Sequence, residues 1–113
     1  MSVKLNTRQV GDVTVIDVSG RITLGEGSSA LRDALRELLA KGHKKILLNL
    51  GDVSYIDSSG IATLIEVLKD SQRLKKEFVL FGLSPAVEEV FRLTHVIRIF
   101  QVFQTEQEAL ETA

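Results

Sequence analysis

The chain has no cysteine and no tryptophan, and only one proline and one tyrosine. Without thiols it can hold neither a disulfide framework nor a thiolate metal site, and it offers no cysteine nucleophile. Its two histidines, His43 and His95, are far apart, and no His-x-x-x-His spacing or accompanying carboxylate pair completes a metal set, so no metal or cofactor is expected. An excess of one charge is missing as well. Fourteen basic residues meet fifteen acidic ones for a formal net charge of −1, which argues against a duplex nucleic-acid binder with its basic face. No apolar run approaches the roughly 20 residues of a membrane span. The opening Met1-Ser2-Val3-Lys4-Leu5-Asn6-Thr7-Arg8 lacks the apolar core of a signal peptide. A cytoplasmic protein without membrane insertion is the expectation.

What remains is an ordinary globular composition. With 44% hydrophobic and 26% charged residues in 113, the chain is long enough for one core, and a single domain over 1–113 is expected. Its organising stretch is Lys44-Lys45-Ile46-Leu47-Leu48-Asn49-Leu50-Gly51-Asp52-Val53-Ser54-Tyr55-Ile56-Asp57-Ser58-Ser59-Gly60. Residues 46–50 form a short apolar run, as expected of a strand covered on both faces and closed by Gly51-Asp52. From Gly60 the period changes: Ile61, Leu64, Ile65 and Leu68 recur at helical spacing. Between the two patterns, Asp57, Ser58 and Ser59 stand where a helix has unpaired N–H groups.

Around this centre, residues 3–9 and 13–19 read as an antiparallel hairpin turning at Gly11-Asp12, with residues 21–24 as a short extension. Gly25-Glu26-Gly27-Ser28-Ser29 is a turn whose Ser28 or Ser29 is expected to cap a helix. That helix carries Ala30, Leu31, Ala34, Leu35, Leu38 and Leu39 and stops at Gly42. A second helix is expected over 60–74 and a third buried strand over 78–81. Ser84-Pro85 opens a further helix. Residues 97–100 or their neighbours should form a short last strand, before a final helix from Thr105-Glu106 to Leu110. The spacing predicts an α/β domain: a mixed sheet, antiparallel at the hairpin and parallel where helices cross over, with about four helices. Asp57-Ser58-Ser59-Gly60 falls beyond the carboxyl end of a strand, where functional groups gather in such sheets.

Enzymatic readings fit poorly. Gly25-x-Gly27-x-x-Ala30 matches a dinucleotide fingerprint by letter, with Asp52 as the ribose acid, but its strand ends too far upstream. Ser58 has Gly60 after it but Ile56 where a nucleophile elbow needs glycine, and neither His43 nor His95 is placed as its base. A phospho-aspartate switch at Asp57 lacks the acidic pair that would hold Mg²⁺. The basic segments 41–45 and 73–76 follow helices and read as solvated ends complementing the helix dipole. The Ser58-Ser59 pair leaves two readings open. It is either a helix cap or a hydroxyl that can take a phosphate, adding about −1.5 to −2 charge at a docking surface.

Residues 49–61, Asn-Leu-Gly-Asp-Val-Ser-Tyr-Ile-Asp-Ser-Ser-Gly-Ile, resemble the strand, loop and Asp-Ser-Ser/Thr-Gly motif of the STAS domain family, most closely its bacterial anti-sigma-factor antagonists. Val15-Ile16-Asp17-Val18-Ser19-Gly20-Arg21-Ile22 and Leu93-Thr94-His95 extend the likeness. The resemblance implies a single STAS-like domain with helices packed mainly on one side of the mixed sheet. It implies a non-enzymatic protein whose unphosphorylated form binds an anti-sigma factor, itself a serine kinase, and so releases a sigma factor. Phosphorylation reverses this, and a PP2C-type phosphatase restores binding. The phosphoacceptor falls on Ser59, with Ser58 second. The docking face falls on Asp57, Ser58, Ser59, Gly60 and Ile61 with Arg21 and Thr23, ATP and Mg²⁺ belonging to the kinase. Many antagonists carry an acid where this chain has Thr23. The alternatives are a STAS scaffold or transport-associated module with Ser59 as a cap, and a small-molecule-binding or hydrolytic domain.

Overall fold

The computed structural model describes residues 3–111; Met1, Ser2, Thr112 and Ala113, the ends of the expected 1–113 unit, lie outside the described residues. The chain runs β1 (Val3–Val10), β2 (Val13–Ile22), α1 (Glu26–Ala40), β3 (Lys45–Ile56), α2 (Ser58–Arg73), β4 (Glu77–Phe81), α3 (Pro85–Leu93), a 3₁₀ turn (Val96–Arg98), β5 (Val102–Phe103) and α4 (Glu106–Glu111). The five strands lie in sequence order in one sheet, β1 antiparallel to β2 and the other neighbours parallel. Because β2 to β5 step across the sheet in one direction, crossovers of one hand place α1, α2 and α3 on the same face. Leu31, Leu35 and Leu39 of α1, Leu64 and Val67 of α2, and Val87 and Phe91 of α3 accordingly share one core with Ile46, Leu48 and Leu50 of β3. On the opposite face, Val15, Leu47 and Val79 lie under Ala109 of α4. The strand at residues 46–50 is therefore covered on both faces, as its unbroken apolar run requires.

β3 does not close at Gly51-Asp52; it continues to Ile56. Its pairing with β2 slips twice, between Asp17 and Ser19 and between Gly20 and Arg21. Each slip inserts an extra residue in β3, as a bulge does. The Gly51 N–H at the first slip is taken up by Asn49 Oδ1 at 3.0 Å. With two extra residues the burial period becomes three, so Leu50, Val53 and Ile56 all face the core while Asp52, Ser54 and Tyr55 stay exposed.

Other expectations change in detail. Neither Ser28 nor Ser29 caps α1: the N-cap is Gly25, at φ 96°, with no side-chain cap, and both serines lie inside the helix. Residues 97–100 do not form the last strand. Val96, Ile97 and Phe100 have helical spacing, and Phe100 is buried against Phe91 with ring centroids 5.8 Å apart. The edge of β4 is instead met by Val102 and Phe103. Ser84 does cap α3, accepting from the Val87 N–H at 3.2 Å while donating to the Val53 carbonyl at 2.6 Å. Within the basic segments, Lys41 and Lys44 are exposed, but Lys45 is buried and its ammonium donates to the Ala109 carbonyl at 3.0 Å. Lys76 likewise donates to the Leu39 carbonyl. These two ammonium groups tie elements together rather than face solvent.

α4 is fastened by a charged cluster. Arg8 reaches Asp17 at 2.7 Å and Glu106 at 2.5 Å, and Asn49 donates to Asp17 at 2.9 Å. The Arg8 guanidinium holds both carboxyls below their usual range, and they in turn raise Arg8. Carboxyls depressed in the folded state contribute stability above their unfolded pKa, near 4, and lose it as pH falls through the folded value. Arg8→Met should therefore cost about 1 kcal/mol at pH 7, as half-exposed pairs do. The deficit should shrink below pH 4, as measured by urea unfolding at both pH values. A deficit independent of pH would place the effect in packing rather than charge.

Candidate functional site

The turn between β3 and α2 is built around one carboxylate. Asp57 has extended backbone at the N-cap of α2, and its Oδ1 accepts the Ser59 N–H at 2.9 Å and the Gly60 N–H at 3.1 Å. The same oxygen accepts the Ser59 hydroxyl at 2.6 Å. Oδ2 reaches the neighbouring turn, accepting the Leu24 N–H at 3.1 Å, while the Asp57 N–H donates to the Ile22 carbonyl at 3.2 Å. The Ser59 hydroxyl, followed by the Gly60, Leu24 and Ser59 N–H groups, holds the Asp57 carboxyl below the ordinary range. It is ionised at neutral pH. One side chain thus caps a helix, orients a hydroxyl and joins the end of β2 to the start of α2.

Ser59 is half-buried, and its Oγ also lies 2.9 Å from Ser28 Oγ on α1. Ser28 closes the turn after β2 through its N–H and Oγ, 3.0 and 2.9 Å from the Thr23 carbonyl. Ser58 is exposed. Gly60 is buried, and a Cβ there would stand 2.7 Å from Ile56 Cγ1 and 2.8 Å from both Ile22 Cγ2 and the Ile22 carbonyl. The motif needs glycine because two strand ends close over it, not because its backbone is unusual.

The structure brings Asp57, Ser58, Ser59, Gly60, Arg21 and Thr23 to one end of the sheet, where β2 and β3 finish side by side. Arg21 is exposed and lies over the Tyr55 ring, 4.7 Å from its centroid, a cation–π pair. Thr23 is half-buried and its carbonyl is used inside the turn. Ile61 is buried with the core, so its side chain presents little surface. Three neighbours are absent from the sequence-based site. Leu24 is 82% exposed and Tyr55 43% exposed, and Ser28 touches the phosphoacceptor candidate from below. Leu24 is the one apolar residue of a glycine-flanked turn, a signal that periodicity does not pick up. Among the described residues no group of His, Asp or Glu is arranged to hold a metal ion, and no helix is long and apolar enough to cross a membrane.

The STAS domain family model matches residues 4–109. A Thermotoga neapolitana protein assigned as an anti-sigma factor antagonist is 31% identical over 102 residues, covering 90% of each chain. The anti-sigma-B factor antagonist of Listeria monocytogenes is 26% identical over 96% of this chain and 93% of its own. A Thermotoga maritima crystal structure, of a protein assigned the same antagonist role, superposes with a TM-score of 0.83 at 29% identity, covering 95% of this chain and 92% of that one. The chain belongs to the STAS domain family, and its mixed five-stranded sheet with four helices is that family's fold.

Helical propensity alone would make Gly60→Ala stabilising by about 1 kcal/mol. The short Cβ approaches reverse the sign. Gly60→Ala should destabilise by about 1–3 kcal/mol, as overpacking does; a rise in thermal midpoint would show that Ile22 and Ile56 give way freely.

Proposed function

We propose that this chain is an anti-sigma factor antagonist whose docking is controlled by phosphorylation of Ser59. The unphosphorylated chain binds an anti-sigma factor that is also a serine kinase, freeing the sigma factor. Phosphoryl transfer from the kinase-bound ATP ends the association, and a PP2C-type phosphatase restores it. The antagonist names of full-length relatives support the general role. The observation that carries the switch is the 2.6 Å hydrogen bond from the Ser59 hydroxyl to the Asp57 carboxylate at the accessible end of the sheet. In the transfer, Ser59 Oγ forms a bond to the γ-phosphorus, the bond to ADP breaks, and the hydroxyl proton is released. This chain supplies the oriented acceptor; the kinase supplies nucleotide and metal.

A phosphate at this position changes the surface in sign and shape. The hydroxyl that donated to Asp57 is replaced by an ester carrying about −1.5 to −2 charge beside a carboxylate. The N–H groups of Ser59 and Gly60 are already committed to Asp57, so the new charge stays directed outward. The exposed Leu24, whose N–H is held by Asp57, belongs to the docking face with Thr23, Ser58 and Ser59, and Arg21 at the end of β2 extends it. Leu24, 82% exposed, contributes apolar area there, and arginine is a residue type enriched at interfaces.

Incubation with ATP and host soluble extract, read by intact mass and peptide mapping over residues 45–69, tests the switch. One phosphate on Ser59 in the wild type and none in Ser59→Ala are expected. Labelling that persists in Ser59→Ala would move the acceptor to Ser58 or elsewhere. No labelling where a control antagonist is labelled would favour a constitutive STAS scaffold with Ser59 as a cap. Against the purified kinase, Leu24→Ser and Ser59→Asp should each weaken binding at least about tenfold, the loss typical of an interface anchor, while Ser59→Ala keeps it. Unchanged affinity in Leu24→Ser would remove that residue from the docking face.

A further inference from the structure

Ser28 is 3% exposed, and its hydroxyl is the neutral side-chain group in contact with Ser59 Oγ. Three short contacts connect Asp57 Oδ1, Ser59 Oγ, Ser28 Oγ and the Thr23 carbonyl, at 2.6, 2.9 and 2.9 Å. Two hydroxyl hydrogens serve them. The ends of the chain, a carboxylate and a carbonyl, accept only. Asp57 is ionised, so the Ser59 hydrogen goes to it in a charge-assisted bond. The Thr23 carbonyl already receives the Ser28 N–H at 3.0 Å. The Ser28 hydroxyl donates to that same carbonyl at 2.9 Å, so its hydrogen can turn toward Ser59, 2.9 Å away, without leaving the carbonyl unpaired.

We propose that Ser28 is a positioning residue for the phosphoacceptor: its hydroxyl, held to the Thr23 carbonyl beside Ser59 Oγ in the unmodified chain, turns to donate to a phosphoryl oxygen once Ser59 is phosphorylated. The inference rests on Ser59 being the acceptor and adds the group that answers the phosphate. After phosphorylation the ester oxygen is a weak acceptor, whereas the non-bridging oxygens carry the charge. The Ser59 and Gly60 N–H groups remain bonded to Asp57, and Asp57 itself repels the phosphate. The Ser28 hydroxyl is the neighbouring donor that a small rotation can redirect, because the Thr23 carbonyl keeps its Ser28 N–H bond. The modified state is thereby held in one rotamer without a cation, and the start of α1 is tied to the state of α2.

The test uses the full chain with phosphoserine installed at position 59 during translation, so that no kinase is needed and a failure to label Ser59 in extract leaves the result intact. The phosphate is titrated by ³¹P NMR. A donor to the charged form favours that form, so its removal raises the apparent pKa. Ser28→Ala should raise the phosphate pKa by about half a unit or more, since a hydrogen bond to a charged group contributes at least that much. Ser28→Thr should return the value to wild type. Asp57, Glu26 in the first turn of α1, Arg21 at the end of β2 and Asp52 of β3 are charged groups at the near ends of the adjoining elements; these and the more distant charges are common to the series and cancel. A merely structural role for Ser28 would change stability and leave the phosphate titration in place. Coincident titration curves for wild type and Ser28→Ala would overturn the proposal. Should Ser28→Ala fail to fold, Ser28→Cys, a weaker donor of similar size, should give an intermediate shift, and a curve coincident with wild type would be equally decisive against it.

Discussion

The arrangement of the site depends on where Asp57 directs its two carboxylate oxygens. One oxygen satisfies the first turn of α2 and receives the Ser59 hydroxyl; the other holds the Leu24 N–H in the turn after β2. A serine or asparagine at the same position would cap the helix about as well. Neither would bring a full negative charge to the serine while spanning two connections. The carboxylate thus binds together a helix that follows β3 and a turn that follows β2. These segments are distant in sequence and meet because the two strands are parallel neighbours ending level, Ile22 beside Ile56. Gly60 completes the junction by letting those two isoleucines close over the helix start.

That level ending depends on the irregular half of β3. A regular strand alternates its faces, and after Leu50 strict alternation would send part of the Val53 and Ile56 set to solvent. The two bulges spend extra residues to keep Leu50, Val53 and Ile56 on the core side. The same rotation leaves Tyr55 outside, where Arg21 lies over it. The exposed Arg21–Tyr55 pair and the packing of Leu50, Val53 and Ile56 are therefore consequences of one distortion.

Much of this was readable from residue order. The buried run at residues 46–50, the helical stripe from Ile61, the proline-led helix at Pro85 and the motif's place beyond a strand all follow from local periodicity and capping chemistry. The irregular half of β3 did not, because Gly51-Asp52 has the composition of a turn, and only pairing with β2 keeps it extended. The cap of α1 was misplaced for a related reason. Ser28 has the right side chain for a cap, but tertiary contact with Ser59 and closure of the Thr23 turn draw it inside the helix. Ile97, Ile99 and Phe100 are β-branched or aromatic, and the burial of Phe100 against Phe91 decides for a helical turn. At the site, residue order picks out Asp57, Ser59 and Gly60, whose bonds build the turn, but not Ser28, which another element brings in, nor the exposed Leu24 and Tyr55, since apolar exposure is set by the path of the chain.

β3 pairs with β4 only as far as Asn49, so residues 50–56 run on beside β2 with no sheet neighbour on their other side. The start of α3 braces this extension from one flank, through the bonds of Ser84 to Leu50 and Val53. The motif consequently sits at the end of a two-stranded extension whose core side is closed by Val53 and Ile56. On its β4 side the extension is held by Ser84 rather than by a further strand, so that one residue couples the start of α3 to the strand that carries the motif.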